Sequence, residues 1–320
     1  MSGAPEPRRR LGHSAVELPR LGLGGTGLGN LFRSLDPELA LATVTAAWEA
    51  GIRYFDTAPL YGLGLSETRL GEALAEYDRA EYLLSSKVGR LIVANPTATG
   101  TVRGTRLFDV PDTHVPTHDY SADGVLTSIE ESLRRLRTDR LDVALVHDPD
   151  DHLDQALAEA LPTLARLREQ GVVGAIGVGM NQWQALRTVV ERADVDVVMI
   201  AGRWTLIDRS AQPLLDSCLR RGVSVMAGAP YNSGLLARPE PPDDATFDYL
   251  RADPAQLATA RRLAERARAF GTTLPAAALH APLRHPAVVA VVAGMSSPDE
   301  AVAAVEYLRH DIPEEFWSGI

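Results

Sequence analysis

The chain has 320 residues, 45% of them hydrophobic, and a formal net charge of −10 at pH 7. This balance allows a large core and argues against general nucleic-acid binding, which needs a basic surface. The single cysteine, Cys218, excludes an internal disulfide framework, and the absence of any run of 18 apolar residues predicts no membrane-spanning helix. The three arginines at positions 8–10 are not followed by an apolar run, so we expect no secretory signal and a cytoplasmic location.

Apolar runs rich in β-branched residues recur along the whole chain, and most are continuous rather than alternating. Continuous apolar runs of this length are typical of parallel strands that are buried on both faces. The sequence predicts such strands over residues 18–25, 52–57, 82–87, 141–147, 173–179, 195–200, 223–228 and 287–294.

Helical patterns separate these strands. The first begins at Pro37 and ends before Gly51, which is the expected placement of proline and glycine around a helix. Similar patterns lie within residues 121–137, 153–171, 181–193, 210–222 and 255–271. This alternation of strand and helix predicts the α/β class and a closed TIM (β/α)8 barrel. Because no linker divides the chain, residues 1–320 are expected to form one domain.

Two long segments, 88–123 and 231–254, have neither the strand nor the helix period and are expected to be irregular loops. Loops this long in a compact domain are usually functional. Each follows a predicted strand, so both should lie at the C-terminal face of the barrel, where barrel enzymes build their active sites.

Four polar residues stand at or just beyond the ends of predicted strands: Asp56, Tyr61, Lys87 and His147. Each alone has an ordinary explanation, such as capping a turn or reaching solvent. Together on one rim they suit proton transfer, because a lysine ammonium lowers the pKa of a neighbouring tyrosine and an aspartate keeps that lysine charged. A histidine opposite can orient the reacting oxygen. The set predicts chemistry at a carbonyl or alcohol, with the hydride supplied by a cofactor.

Several stretches carry a family resemblance. They are GIRYFDTAPLYGLGLSETRLGEAL (51–74), LLSSKVGR (83–90), RTDRLDVALVHDPD (137–150) and AIGVGMNQ (175–182). From about Leu11 to about Leu308 the chain resembles the aldo-keto reductases. The resemblance implies a TIM barrel that binds a nicotinamide dinucleotide without a Rossmann motif. It also implies that Asp56, Tyr61, Lys87 and His147 form the catalytic tetrad, with Tyr61 as the acid/base.

The resemblance also implies where the dinucleotide binds. Asp299 and Glu300 stand where members that prefer NADP carry basic residues, and a carboxylate repels the 2′-phosphate. We therefore expect NAD or NADP, with NAD slightly favoured. The expected cofactor-binding residues are Gly25, Thr26, Asp56, Gly179, Met180, Asn181, Ala229, Asn232, Ser233, Gly234, Leu235, Gly294, Met295, Ser296, Ser297 and Glu300.

Two positions depart from the family pattern. Gly228 stands where many members have an aromatic residue that stacks on the nicotinamide, and Gly179-Met180 replaces a Ser-Asn pair that holds the carboxamide. We therefore consider Asn181 for the carboxamide and Trp204 for the missing ring.

The stretches VHDPD (146–150), VGMNQ (178–182) and AGRWTLID (201–208) are most similar to one branch of the family, the aldose 1-dehydrogenases and pyridoxal 4-dehydrogenases. This resemblance implies oxidation of a cyclic hemiacetal of an aldose or of pyridoxal to a lactone. The expected substrate-binding residues are Arg90, His114, His118, Tyr120 and Trp204.

Other interpretations stay open. The same residues could run an NADPH-dependent reduction of an aldehyde or ketone, because hydride transfer is reversible. A dinucleotide-binding sensor barrel with little turnover is less favoured by an intact tetrad, and a metal-dependent hydrolase lacks convergent ligands. We interpret HDPDDH (147–152) as a solvated turn, not a metal site. We expect a small-molecule substrate and no nucleic-acid or membrane partner; the sequence leaves monomer and homo-oligomer open.

Overall fold

The computed structural model describes residues 8–100 and 107–320. Residues 1–7, on which the expectation about a secretory signal partly falls, lie outside the described part of the chain. So do residues 101–106, which belong to the predicted segment 88–123.

The strands are β1 Arg9–Arg10, β2 Glu17–Leu18, β3 Leu21–Gly24, β4 Tyr54–Asp56, β5 Leu83–Val88, β6 Arg90–Ala94, β7 His114–His118, β8 Leu141–His147, β9 Val173–Met180, β10 Val197–Ala201, β11 Ser224–Gly228, β12 Thr246–Phe247, β13 Leu250–Arg251 and β14 Val288–Gly294. Within the described residues, eight of them close into a parallel barrel in the order β3, β4, β5, β8, β9, β10, β11 and β14, and β14 pairs with β3. The predicted (β/α)8 barrel is therefore confirmed, with all eight predicted strands in place.

The α-helices are α1 Pro37–Ala50, α2 Leu65–Leu74, α3 Ala122–Leu136, α4 Leu153–Gln155, α5 Leu161–Glu169, α6 Trp183–Arg192, α7 Gln212–Arg221, α8 Pro254–Ala269, α9 Leu274–Leu283, α10 Pro298–Arg309 and α11 Glu314–Trp317. Their ends follow from local chemistry. The Asp36 side chain accepts hydrogen bonds from the first N–H groups of α1, and Gly51 ends that helix at φ +104°.

Apolar side chains fill two layers. The inner layer occupies the barrel and includes Tyr54, Leu145 and Met226. The outer layer lies between the strands and the helices. The hairpin of β1 and β2 supplies Leu11 and Leu18 to the inner layer, so the barrel is packed at its N-terminal end. The C-terminal end is therefore the open end that can hold a site.

The two segments expected to be irregular contain regular structure, which corrects that expectation. Strands β6 and β7 pair as an antiparallel hairpin, with Arg90 opposite His118 at its base. The second segment contains a 3₁₀ turn, Asn232–Gly234, and the short hairpin of β12 and β13. Both hairpins follow barrel strands and stand at the C-terminal face, as predicted.

The described residues include no helix that is both long and apolar enough to span a membrane.

Candidate active site

A buried ion pair links Asp56 and Lys87, two of the four predicted polar residues. Asp56 ends β4 and Lys87 lies in the neighbouring β5, and both are 2% exposed. Lys87 Nζ donates to Asp56 Oδ2 at 2.8 Å and to the carbonyl oxygen of Thr57 at 2.9 Å, while Ser85 Oγ donates to Asp56 Oδ1 at 2.7 Å. Burial lowers the pKa of Lys87, but Asp56 and Tyr61 outweigh burial and raise it above its ordinary value. Lys87 therefore stays charged.

Tyr61 lies in the turn that follows β4, with Lys87 Nζ 4.7 Å from its ring centroid. The sequence predicts that Lys87 lowers the pKa of Tyr61. Lys87 does act in that direction, but burial is the larger effect and the pKa of Tyr61 is raised above its ordinary value. This corrects the prediction: the phenol is protonated at neutral pH.

Two glycines allow the turn that positions Tyr61. Gly62 has φ +65°, a conformation that side chains other than glycine rarely adopt. Gly29, from a 3₁₀ turn after β3, approaches so closely that a Cβ there would lie 2.6 Å from the carbonyl carbon of Tyr61. The backbone of Tyr61 is thus held between two loops.

His147 ends β8 and faces Tyr61 across the mouth. The two ring centroids are 5.9 Å apart and the ring planes are nearly perpendicular, at 87°. Burial, followed by the positive charges of Lys87 and Arg90, lowers the pKa of His147 well below its ordinary value. Its Nδ1 is buried without a hydrogen-bond partner among the described residues. His147 is therefore a neutral imidazole.

Asp148 stands beside these residues and was not among the predicted site residues. Its Oδ2 accepts a hydrogen bond from Arg90 Nη2 at 3.0 Å and lies 3.6 Å from His147 Nε2. Burial raises the pKa of Asp148 to about 6, against the opposing effect of Arg90. The signal available in the sequence was its position, directly after His147 and before Pro149.

Two predicted substrate contacts and one predicted cofactor contact line a cavity that Asp148 also lines. The cavity has a volume of about 390 Å³, and Arg90, His118 and Asn181 are among its lining residues. Every residue that lines it is polar or charged. The structure thus brings part of the predicted substrate site together with Asp148.

The other predicted substrate contacts lie elsewhere, which corrects those expectations. Tyr120 is fully buried, and its hydroxyl donates to the carbonyl oxygens of His147 and Asp148 at 2.7 and 2.8 Å. Trp204 is buried in the outer apolar layer, where Nε1 donates to the carbonyl oxygen of Pro282 at 3.2 Å, so it does not supply the missing ring. His114 is four residues along β7 from His118, about 13 Å at ~3.3 Å per residue.

The loop after β11 has the features of a ligand cradle. Ala229, Asn232, Ser233 and Gly234 all have positive φ angles, and the buried Oδ1 of Asn232 has no partner among the described residues. At the end of β14, a Cβ on Gly294 would meet nothing within 4 Å. These features, an orphaned amide oxygen and open space at a strand end, fit a bound dinucleotide.

The start of α10 completes this side of the mouth. Ser297 caps the helix, and its Oγ accepts from the N–H of Glu300 at 3.2 Å. The carboxylate of Glu300 folds back and accepts from the N–H of Ser296 at 2.7 Å and from its hydroxyl at 3.1 Å. A carboxylate therefore covers the donors that an anion would use there.

Some predicted cofactor residues turn their side chains away from the mouth. Met180, Leu235 and Met295 are buried in apolar clusters, so their predicted contacts with a dinucleotide would have to come from the backbone. Gly25 packs against Ser66, with its N–H donating to the carbonyl oxygen of Asp56 at 2.7 Å, and Thr26 is only partly buried beside it. Gly179 does face the interior, where a Cβ would lie 3.8 Å from Lys87 Cε.

This mouth offers proton donors beside a cradle suited to a dinucleotide, an arrangement that serves redox chemistry at carbon. The fold and the site together define a (β/α)8 oxidoreductase. Comparison with known proteins identifies its family. The protein-family model described as "Aldo/keto reductase family" matches residues 20–320 of the chain. The chain belongs to the aldo/keto reductase family, and as a member it works with NAD or NADP.

Individual relatives agree with this assignment. The chain is 41% identical over 308 residues to a D-threo-aldose 1-dehydrogenase from a Pseudomonas species, covering 95% of this chain and 94% of the relative. It is 34% identical to a pyridoxal 4-dehydrogenase from Microbacterium luteolum, covering 97% and 95%. Among solved structures, the holo form of the aldo-keto reductase AKR11C1 from Bacillus halodurans has a TM-score of 0.76 at 26% identity, covering 97% and 93%.

Proposed function

We propose that this protein oxidises the cyclic hemiacetal of an aldose, or of pyridoxal, to the lactone with NAD. The observation that carries the proposal is the charged Asp56–Lys87 pair beside Tyr61, with the neutral His147 facing it across the mouth. The substrate class comes from the relatives named as an aldose 1-dehydrogenase and a pyridoxal dehydrogenase.

Each residue of this set has a role that its surroundings support. Tyr61 takes the proton from the anomeric hydroxyl, and Lys87 stabilises the phenolate that accepts it. Asp56 keeps Lys87 charged and fixed in place. The neutral His147 hydrogen-bonds the reacting oxygen and orients it. A bound dinucleotide would supply the acceptor for the hydride that leaves the anomeric carbon.

The residues for holding the dinucleotide lie on the loops after three strands. Asn181 is the candidate for the carboxamide, the 229–235 loop for the pyrophosphate, and the 294–297 turn for the adenosine end. Gly228, where a Cβ would meet Ala201 and Met199 at 3.6 Å, leaves that part of the mouth without an aromatic side chain.

The preference for NAD rests on Glu300. Its carboxylate already occupies the Ser296 donors, and a 2′-phosphate would have to displace it against like-charge repulsion. Glu300→Gln is expected to raise the ratio of kcat/KM with NADP to that with NAD by about tenfold, because a close like charge costs roughly 1–2 kcal/mol. Glu306→Gln, which removes an exposed carboxylate of α10 well beyond its first turn, is the matched control. An unchanged ratio in Glu300→Gln would remove the basis for this preference.

The experiment that tests the whole proposal is absorbance at 340 nm, with NAD and NADP in separate wells and a panel of aldoses and pyridoxal. A rise in absorbance with NAD and a sugar or pyridoxal supports the proposal. The proposal is contradicted if absorbance does not rise with any member of the panel and if NADPH absorbance falls when simple aldehydes are added.

Reduction of an aldehyde or ketone is the second candidate, and one observation favours it. The raised pKa of Tyr61 keeps the phenol protonated at neutral pH, which is the form that a carbonyl reduction needs as its proton donor.

A further inference from the structure

The backbone of Asp148 is held in an unusual conformation. Its φ is +40°, in the left-handed region, and it precedes Pro149, which restricts it further. Its N–H donates to the carbonyl oxygen of Gly179 at 3.0 Å, and the Tyr120 hydroxyl donates to its carbonyl oxygen at 2.8 Å. Strained conformations of this kind persist where the surroundings fix them, and they concentrate at functional sites.

The side chain of Asp148 is placed between a cation and the reaction centre. Arg90 Nη2 donates to Asp148 Oδ2 at 3.0 Å, and the same oxygen lies 3.6 Å from His147 Nε2. The side chains of Arg90 and Asp148 are 20% and 24% exposed, so the pair is mostly removed from water. Arg90 Nε is buried and has no partner among the described residues. The pair therefore has hydrogen-bonding capacity that the protein itself leaves unused.

The cavity that this pair lines has no apolar lining residue. Besides Arg90 and Asp148, its walls include His118, Asn181 and Gln182. An apolar aldehyde gains little from such walls, because burying polar groups without hydrogen bonds is unfavourable. A substrate with several hydroxyl groups can satisfy them. The raised pKa of Asp148, about 6, agrees with a carboxylate that has lost water and gains from a hydroxyl donor.

We propose that the Arg90–Asp148 ion pair recognises the substrate by binding the hydroxyl group on the carbon next to the reacting carbon. The Asp148 carboxylate accepts a hydrogen bond from that hydroxyl while His147 holds the reacting oxygen on the neighbouring carbon, and Arg90 holds Asp148 in position. The inference rests on the proposed function and narrows its substrate class to sugars and other 2-hydroxylated aldehydes.

The test compares D-arabinose with 2-deoxy-D-ribose, which differs from it only by lacking the C2 hydroxyl. The wild-type kcat/KM is expected to favour D-arabinose by about 10- to 100-fold, the size of one hydrogen bond to a charged group. Asp148→Asn should lower kcat/KM for D-arabinose and leave 2-deoxy-D-ribose nearly unchanged, so that the ratio falls to about threefold or less. Asp139→Asn, whose side chain is 83% exposed, is the control and should keep the wild-type ratio.

A structural role for Asp148 would lower kcat/KM for both sugars by the same factor, and that result overturns the inference. A wild-type ratio near one overturns it as well, whether or not Asp148→Asn folds. Arg90→Gln is the second variant and should also reduce the ratio.

Failure of the proposed function has a different signature. If the wild-type protein oxidises neither these two sugars nor any other member of the aldose and pyridoxal panel with NAD or NADP, the dehydrogenase proposal fails by itself. Lactaldehyde and propanal again differ only in the C2 hydroxyl. Comparing kcat/KM for the reduction of these two aldehydes by NADH and by NADPH then tests Asp148 in the same way. Equal kcat/KM for these two aldehydes overturns the inference.

Discussion

Tyr61 carries the proton in the proposed reaction, and its hydroxyl group is the part of the side chain that matters. Tyr61→Phe removes one oxygen and keeps the ring that packs near Phe108 and His147. We expect kcat to fall by about 10²- to 10⁴-fold, the usual contribution of a general acid or base. The Kd for the dinucleotide, measured by quenching of tryptophan fluorescence, should stay within about twofold in the same comparison. A variant that keeps most of its activity would remove Tyr61 from the acid/base role.

The surroundings of Tyr61 also predict how the rate depends on pH. Burial raises the pKa of the phenol above its ordinary value, so the phenolate is the minor form at neutral pH and its fraction grows as pH rises. Oxidation uses the phenolate as the base, so its kcat should rise by on the order of tenfold per pH unit through the alkaline range.

Reduction uses the phenol as the acid, so its kcat should stay flat through neutral pH and fall only above the raised pKa. Initial rates in both directions with one substrate pair, over pH 6–10, measure this. Profiles with the opposite slopes would show that the titrating group is another residue.

At the scale of elements, the hairpin of β12 and β13 brings an aromatic side chain to the mouth. Its two turn residues, Asp248 and Tyr249, have φ +48° and +64°, as a two-residue hairpin turn requires. Tyr249 contacts Phe32 from the loop after β3, with ring centroids 5.9 Å apart. The hairpin therefore places Tyr249 against the loop after β3, at the C-terminal face of the barrel.

One ion pair anchors this hairpin. The Asp248 carboxylate accepts two hydrogen bonds from Arg203, at 3.0 and 2.7 Å, and the N–H of Tyr249 donates to Ser233 Oγ at 3.2 Å. Asp248→Asn weakens the bidentate pair and is expected to speed amide exchange over residues 246–251. The KM of the substrate should rise by about three- to tenfold with little change in kcat, since the change loosens binding and leaves the reacting groups alone.

The matched control is Asp243→Asn in the preceding segment, where Asp243 pairs with Arg261 and both side chains are largely exposed, 85% and 46%. Such a pair contributes little, so its loss should change neither exchange nor KM. Exchange measured by mass spectrometry on both variants decides the point. Equal behaviour of the two variants would mean that Asp248 does not anchor the hairpin.

The barrel strands could be predicted from the sequence because burial on both faces leaves a continuous apolar run, and that signal is local. The end of β8 was predicted to the residue, at His147. The hairpin of β6 and β7 was missed because HVPTH is mostly exposed and polar and contains Pro116, so nothing local marks it as a strand. Its pairing is set by the register of Arg90 with His118, which only the fold supplies.

The site residues likewise divide into those with a local signal in the sequence and those whose contacts only the fold supplies. Asp56, Tyr61, Lys87 and His147 lie at or just beyond strand ends, and strand ends converge in any parallel barrel. The pKa direction of Tyr61 could not be predicted, because it depends on how burial compares with the attraction of Lys87 in three dimensions. Asp148 was missed because its contact with Arg90 joins the turn after β8 to the start of β6, 58 positions apart.

At the scale of the whole molecule, the reacting groups lie at one end of the barrel, while much of its stability depends on contacts elsewhere. Glu67 in α2 is fully buried, and its carboxylate accepts hydrogen bonds from Ser86 Oγ and from Arg135 Nε, each at 2.6 Å. This carboxylate joins α2, β5 and α3, that is, two successive strand–helix units. The same helix carries Glu72, which pairs with Arg137 where both side chains are about half exposed, 50% and 54%. Two glutamates of α2 thus pair with arginines on the side of α3, one in a buried ion pair and the other in a half-exposed one.

Breaking these two pairs should have unequal effects. Glu67→Gln leaves a buried guanidinium without its closest partner and is expected to lower the free energy of unfolding by about 3 kcal/mol, near the lower end for a broken buried pair. The corresponding fall in Tm is roughly 4–5 °C for a chain of this length. Glu72→Gln should lower the free energy of unfolding by less than about 1 kcal/mol, because water screens the exposed pair. Thermal unfolding by circular dichroism and kcat at 25 °C measure both variants, and kcat should stay close to wild type in each because neither carboxylate touches the mouth. Equal losses of Tm would mean that burial of the Glu67 pair does not determine its contribution, and a fall in kcat without a fall in Tm would place Glu67 in the active site.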